Sequence, residues 1–198
     1  DLSRRILEVL AIRTKKSSDL VRWKDFVKRS QNGKDTVKIA VVGKYFTSGD
    51  FVLSDVYLSV LEALKYSAYT LHLKPVITYL SSLEFEDTKK LKKLDEFDGV
   101  LVPGGFGATG IEGKLNVIEY VRKKGIPYFG ICYGMQLAVL EYAKNVLKLK
   151  NASTEEIDPK AEHLVIGVMP DQKEKIANGD MGGTMRLGEY ETVLKKGS

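Results

Sequence analysis

From Val37 to Ile131 the chain alternates short apolar runs with longer segments of mixed polarity, and this alternation limits the fold more than any other feature. Val37–Val42, Pro75–Leu80, Gly99–Val102 and Ile126–Ile131 are strand-length and mostly aliphatic or aromatic. Runs of that kind suit strands covered on both faces. Between and after them, Asp55–Ser67, Thr88–Leu94, Glu112–Lys124 and residues 133–147 carry apolar side chains at helical spacing. Strand and helix alternating at this pitch predict an α/β fold with a mostly parallel sheet and helices on both faces. His163–Val168 and Gly183–Leu194 read as later strands, expected to run antiparallel. Residues 1–36 read as an interdomain linker with a docking helix. Leu2, Ile6, Leu7 and Leu10 recur at helical spacing, Leu20, Trp23, Phe26 and Val27 form a second stripe that Ser18 or Asp19 would cap, and Asn32–Gly33 ends it.

The last of the four strands runs into Gly130-Ile-Cys132-Tyr-Gly134, and Cys132 is the single cysteine of the chain. Glycines on either side of a central residue permit the sharp strand-to-helix turn that lifts a nucleophile above a sheet edge. The positive end of the following helix dipole favours the thiolate there. The bland alternative is a small buried apolar side chain. Against it stands a second strand, Gly99–Val102, ending in Pro103-Gly104-Gly105-Phe106-Gly107. Loops at the carboxyl ends of neighbouring parallel strands share one crevice. A glycine loop facing a thiol can present main-chain donors to the oxyanion of an acyl-transfer intermediate. The expected donors are the N–H groups of Gly105 and Tyr133.

Charge narrows the partners. The chain carries a net charge of +5, yet its lysines fall on separate predicted helices rather than in a stripe interleaved with aromatics. They read as solvated helix faces, which argues against nucleic acid. No apolar run reaches membrane-spanning length, and one cysteine cannot form an intramolecular disulfide, so a cytoplasmic setting without a membrane is expected.

Gly-Ile-Cys-Tyr-Gly-Met-Gln at 130–136 resembles the nucleophile motif of class I, triad-type glutamine amidotransferases. Further segments resemble the amidotransferase domain of CTP synthase: Val42-Gly43-Lys44-Tyr45, Tyr57–Leu64, Leu101–Gly107, Asn151–Glu155 and Met181–Gly188. The likeness runs from about Val37 to Gly188, and the Gly-Gly-Thr-Met-Arg-Leu-Gly run is its most specific part. It implies a flavodoxin-like or Rossmann-like three-layer sandwich over residues 37–198. It also implies hydrolysis of glutamine to glutamate and ammonia through a Cys132 thioester. The ammonia would serve a synthase domain of the same polypeptide that aminates UTP to CTP, a ligase step of pyrimidine biosynthesis. No cofactor is implied for this domain, ATP and Mg2+ for the synthase domain, and GTP as activator; the full-length family members are homotetramers. Carried over by position, Cys132 is the nucleophile, Gly105 an oxyanion donor, and Phe106, Gln136, Glu155 and Arg186 line the glutamine pocket. Glu155 would take the substrate ammonium and Arg186 its carboxylate.

The departures are specific. Tyr133 stands where the family has leucine, and Thr109 where many members have an arginine tied to GTP sensing, which leaves GTP response open. The segment between Tyr45 and Tyr57 is longer than usual, in a region that serves as a lid. A cysteine triad also needs a histidine and a carboxylate to orient it. The family supplies them as His-x-Glu, but the two histidines here, His72 and His163, are not followed by an acid two residues on. Both read as structural or surface residues. The domain is therefore expected to be incomplete at its C-terminus, and residues 1–198 alone are expected to be inactive. Two other readings remain open: a redox-sensing cysteine protein of the DJ-1 type, and a non-catalytic amidotransferase-like binding module.

Overall fold

The computed structural model describes residues 2–13, 20–44, 47–48, 51–52, 57–105, 109–169, 172–174, 178, 191, 193 and 195–197. Two helices come first, α1 (Leu2–Val9) and α2 (Val21–Gln31). Three apolar residues of α1, Leu2, Ile6 and Val9, are exposed, and Leu7 is half-buried. Leu20, not Ser18 or Asp19, is the N-cap of α2, and it makes no side-chain capping bond; Asn32 ends the helix as expected. Phe26 fixes α2 by setting its ring edge-on to Tyr66 and Tyr69, 5.0 and 5.8 Å away.

Then follow β1 (Asp35–Gly43), a two-residue-per-arm hairpin of β2 (Thr47–Ser48) and β3 (Phe51–Val52), α3 (Leu58–Thr70) and β4 (Leu73–Ser81). The hairpin occupies part of the long segment expected between Tyr45 and Tyr57. Two 3-10 helices, Ser82–Glu86 and Thr88–Glu96, lead to β5 (Gly99–Val102), α4 (Ile111–Lys124), β6 (Tyr128–Gly130) and α5 (Tyr133–Asn145). The short helix expected over Thr88–Leu94 is thus 3-10 rather than α. Its buried residues, Leu91 and Leu94, are three apart, the repeat that a 3-10 helix superimposes on one side. Last come β7 (Ala152–Thr154) and β8 (His163–Ile166), which pair parallel. The expectation that His163–Val168 runs antiparallel is corrected by that pairing, and β7 was not anticipated. Gly183–Leu194 lies almost wholly outside the described residues.

The main sheet has the order β4-β1-β5-β6, and every pairing in it is parallel. The first strand sits between the second and the third, the flavodoxin-like arrangement. Alternation along the strands sorts the core into two faces. Ala40, Val42, Val100 and Val102 join Phe85, Leu91, Leu94, Val117 and Val121 beneath the 3-10 helices and α4, whereas Val41 and Leu101 pack with Leu61 of α3 on the other face. Phe85 is fully buried, which stabilises the fold by roughly 2–3 kcal/mol. A third cluster of Ile118, Tyr133, Leu137, Leu140 and Ala152 joins α4, α5 and β7. Between α4 and α5 the Glu141 carboxylate, 1 % exposed, accepts two bonds from Arg122 at 2.6 and 2.8 Å and one from Asn145 at 3.0 Å. This layout puts the loops after β1, β5 and β6 at one end of the sheet.

Candidate active site

Cys132 is the N-cap of α5 and adopts φ 53° and ψ −109°, a conformation that costs a residue bearing a Cβ. Its neighbours explain how the bend is held. A Cβ on Gly134 would run into the carbonyl of Val102 on β5, and one on Gly130 would stand 2.6 Å from the backbone of Gly134 and Met135. Only glycine lets strand and helix approach this closely. The Tyr128 hydroxyl then donates to the Gly134 carbonyl at 2.8 Å, and burial pushes that phenol to a higher pKa. Raised in this way, the thiol is exposed.

The glycine loop after β5 lies against it. A Cβ on Gly104 would be 3.3 Å from the Cys132 Cβ and 3.7 Å from its Sγ. The structure therefore brings together the two sequence features chosen for their chemistry, which lie 28 residues apart by numbering, 104 to 132. Tyr57, at the head of α3, donates its hydroxyl to the Gly104 carbonyl at 3.1 Å. Tyr133 begins α5, so its N–H has no intrahelical acceptor. Gly105 is described and half-buried.

Gln136 lies one turn along α5 from Cys132, and its N–H donates to the Cys132 carbonyl at 3.1 Å. Glu155 follows β7 and is already engaged. Its Oε1 is 2.7 Å from Lys173 Nζ, and its Oε2 accepts the Val168 N–H at 2.6 Å. The Lys173 ammonium and the Val168 N–H hold this carboxyl below the usual carboxylate range. Phe106 and Arg186, the other two residues expected in the pocket, lie outside the described residues.

Neither histidine joins the thiol. His72 immediately precedes β4, at the amino end of the parallel sheet, opposite the end that carries Cys132. His163 opens β8 and faces Glu162 at 3.7 Å. Among the described residues no group of three or more histidine, cysteine or carboxylate side chains could hold a metal ion, and no helix is long and apolar enough to cross a membrane.

Sequence reasoning missed Tyr57 as a site residue, and Lys173 and Lys114 altogether. Lys114 of α4 is 2 % exposed, pairs with no carboxylate among the described residues, and lies 5.3 Å over the Tyr133 ring. Burial, and then the like charge of Lys44, lower its pKa, while burial pushes the Tyr133 phenol up to about 12. The Tyr133 hydroxyl itself has no hydrogen-bond partner among the described residues. The substitution of tyrosine for leucine after the nucleophile was the one available signal. A cavity of about 520 Å³ lies under α3, bordered by Val60, Leu64, Leu101, Phe129 and Ile131. Its apolar wall does not suit a zwitterionic amino acid, so the crevice at Cys132 and Gly104 is the candidate site.

Comparison with known proteins bears on the family and the fold. The family "Glutamine amidotransferase class-I" matches residues 52–198. The CTP synthase of Methanococcoides burtonii is 42 % identical over 198 residues, covering all of this chain and 35 % of that protein. That of Methanothrix thermoacetophila is 47 % identical over 179 residues, covering 89 % of this chain and 32 % of that protein. The chain thus spans about a third of the length of the curated relatives it matches. Among solved structures, the glutaminase domain of Trypanosoma brucei CTPS with bound acivicin superimposes with a TM-score of 0.62 at 38 % identity, over 68 % of this chain and 51 % of that one. Elbow, glycine loop, sheet order and sequence lead to one placement: this chain belongs to the class-I glutamine amidotransferases.

Proposed function

We propose that the chain is the glutaminase part of a CTP synthase and that Cys132 breaks the side-chain amide of glutamine. What carries the reading is the strained, exposed Cys132 lying so close to Gly104 that a Cβ there would stand 3.3 Å from the Cys132 Cβ and 3.7 Å from its Sγ. In this reaction Sγ, as thiolate, bonds to the glutamine Cδ, and the carbonyl electron pair moves onto oxygen. The N–H groups of Gly105 and Tyr133 receive that oxyanion. The C–N bond then breaks, the nitrogen takes up a proton and leaves as ammonia, and a γ-glutamyl thioester remains. Water adds to the thioester, the C–S bond breaks, and glutamate departs with the thiol restored.

Substrate binding follows from charge. The substrate ammonium displaces Lys173 from Glu155, Arg186 takes the carboxylate, and Gln136 and Phe106 line the remaining wall. Ammonia passes to a synthase domain, where UTP is aminated; ATP and magnesium belong to that domain, and no residue of this chain is assigned to them.

Neither His72 nor His163 is placed to relay the proton. A polypeptide limited to residues 1–198 is therefore expected to turn glutamine over at least about 1000-fold more slowly than the intact enzyme. The deciding experiment treats the intact protein with a glutamine analogue bearing a chloroketone in place of the amide. Peptide mass spectrometry should find one adduct, at Cys132, blocked by excess glutamine. If iodoacetamide modifies Cys132 while the analogue does not, the glutaminase assignment is wrong. The position of the two histidines favours one second reading, a binding module, which predicts glutamine binding without turnover in the intact protein.

A further inference from the structure

We propose that Tyr57 is a positioning residue for this glutaminase site, its hydroxyl orienting the 104–105 peptide so that the Gly105 N–H meets the oxyanion. The inference rests on the glutaminase reading above and adds a residue to it. The chain has no cis peptide bonds among its described residues, so the Gly104 carbonyl and the Gly105 N–H belong to one planar trans unit and point in opposite directions. Tyr57 donates to that carbonyl at 3.1 Å. Anchoring the oxygen thereby fixes the direction of the N–H.

Such an anchor is needed because glycine permits rotation that other residues forbid. Two consecutive glycines, Gly104 and Gly105, flank the peptide in question. Left to itself the unit can turn and remove its donor from the site. Tyr57 is well fitted to prevent this. It stands at the N-cap of α3, and its ring packs with Val41, Leu61 and Leu101 on the sheet face, which sets where the hydroxyl lies. A hydrogen bond accepted by the carbonyl also polarises the peptide and strengthens its N–H as a donor. The loop after β1 thus acts on chemistry at the ends of β5 and β6.

The test is Tyr57→Phe in the intact protein, which keeps the ring and removes the hydroxyl. Misplacing an oxyanion donor should lower kcat for glutamine by about 10- to 100-fold and leave KM within about twofold. Alkylation of Cys132 by iodoacetamide forms no oxyanion, so its rate should match wild type. A merely structural role would slow both reactions together, and that result overturns the proposal. Unchanged kcat in a wild-type background that turns glutamine over also overturns it while leaving the glutaminase reading intact. A wild-type protein that does not hydrolyse glutamine ends both.

Discussion

Strain at Cys132 has to be met by contacts elsewhere, since a side-chain-bearing residue at φ 53° costs of the order of 1–3 kcal/mol. The close approach of Gly134 to Val102 and the Tyr128 bond to Gly134 supply those contacts. The sequence made this much legible because glycine in both flanking positions has few other purposes. Tyr57 and Lys173 were not legible. Each acts on a residue far along the chain, Gly104 at 47 residues' separation in the first case, and no local pattern encodes such a pairing. Glu155 could be selected by resemblance, but not its engagement by Lys173. That engagement gives a pH signature. A carboxyl held below the usual range of about 4.5 contributes stability that is present above that value and lost as pH falls through the lower folded value. Glu155→Gln removes the contribution. Its stability deficit against wild type should be constant near neutral pH and shrink on acidification below about 4.5, as read from urea midpoints. A deficit that grows with acid would show that the ion pair does not form.

At the level of elements, the parallel strands and α3, α4 and α5 could be read from apolar spacing, within a few residues at each end. The 3-10 helices and the β7–β8 ladder could not. A three-residue repeat such as Leu91–Leu94 fits an α-helix and a 3-10 helix equally, and a three-residue strand such as β7 is too short to show a period. Direction is harder still, because strand pairing depends on the path between strands. One polar link adds to the apolar cluster that holds α5, and with it Cys132: the ion pair of Arg122 on α4 with Glu141 on α5. Arg122→Met leaves a carboxylate that is 1 % exposed with only Asn145 to meet it among the described residues. Stranding a buried charge in this way costs about 3 kcal/mol or more. Arg122→Met combined with Glu141→Leu removes both charges and should recover most of the loss. A double variant no more stable than Arg122→Met alone would mean that the pair is not what joins the helices.

On the scale of the whole molecule, the same doubly wound logic that places the candidate site also predicts where the sheet is left uncovered among the described residues. A parallel sheet is ordinarily covered on both faces. Here α4 and the 3-10 helices cover one face across β1 and β5, while on the other α3 packs over β4, β1 and β5 through Ile77, Tyr79, Val41 and Leu101, and Phe129 of β6 is not part of that cluster. Phe129 at the centre of β6 is 64 % exposed, and it borders the apolar cavity under α3. β6 is also the last strand in the order β4-β1-β5-β6 of the described residues. An outer strand with an exposed aromatic beside an apolar hollow is a template for association. A polypeptide limited to residues 1–198 is therefore expected to self-associate, its sedimentation coefficient rising with concentration. Phe129→Lys places a charge at the middle of that strand at little cost to folding, because the side chain it replaces is already largely in water. The variant should sediment as a monomer across the same range. Association that persists unchanged in Phe129→Lys would locate the contact elsewhere, with the exposed stripe of α1 the next surface to alter.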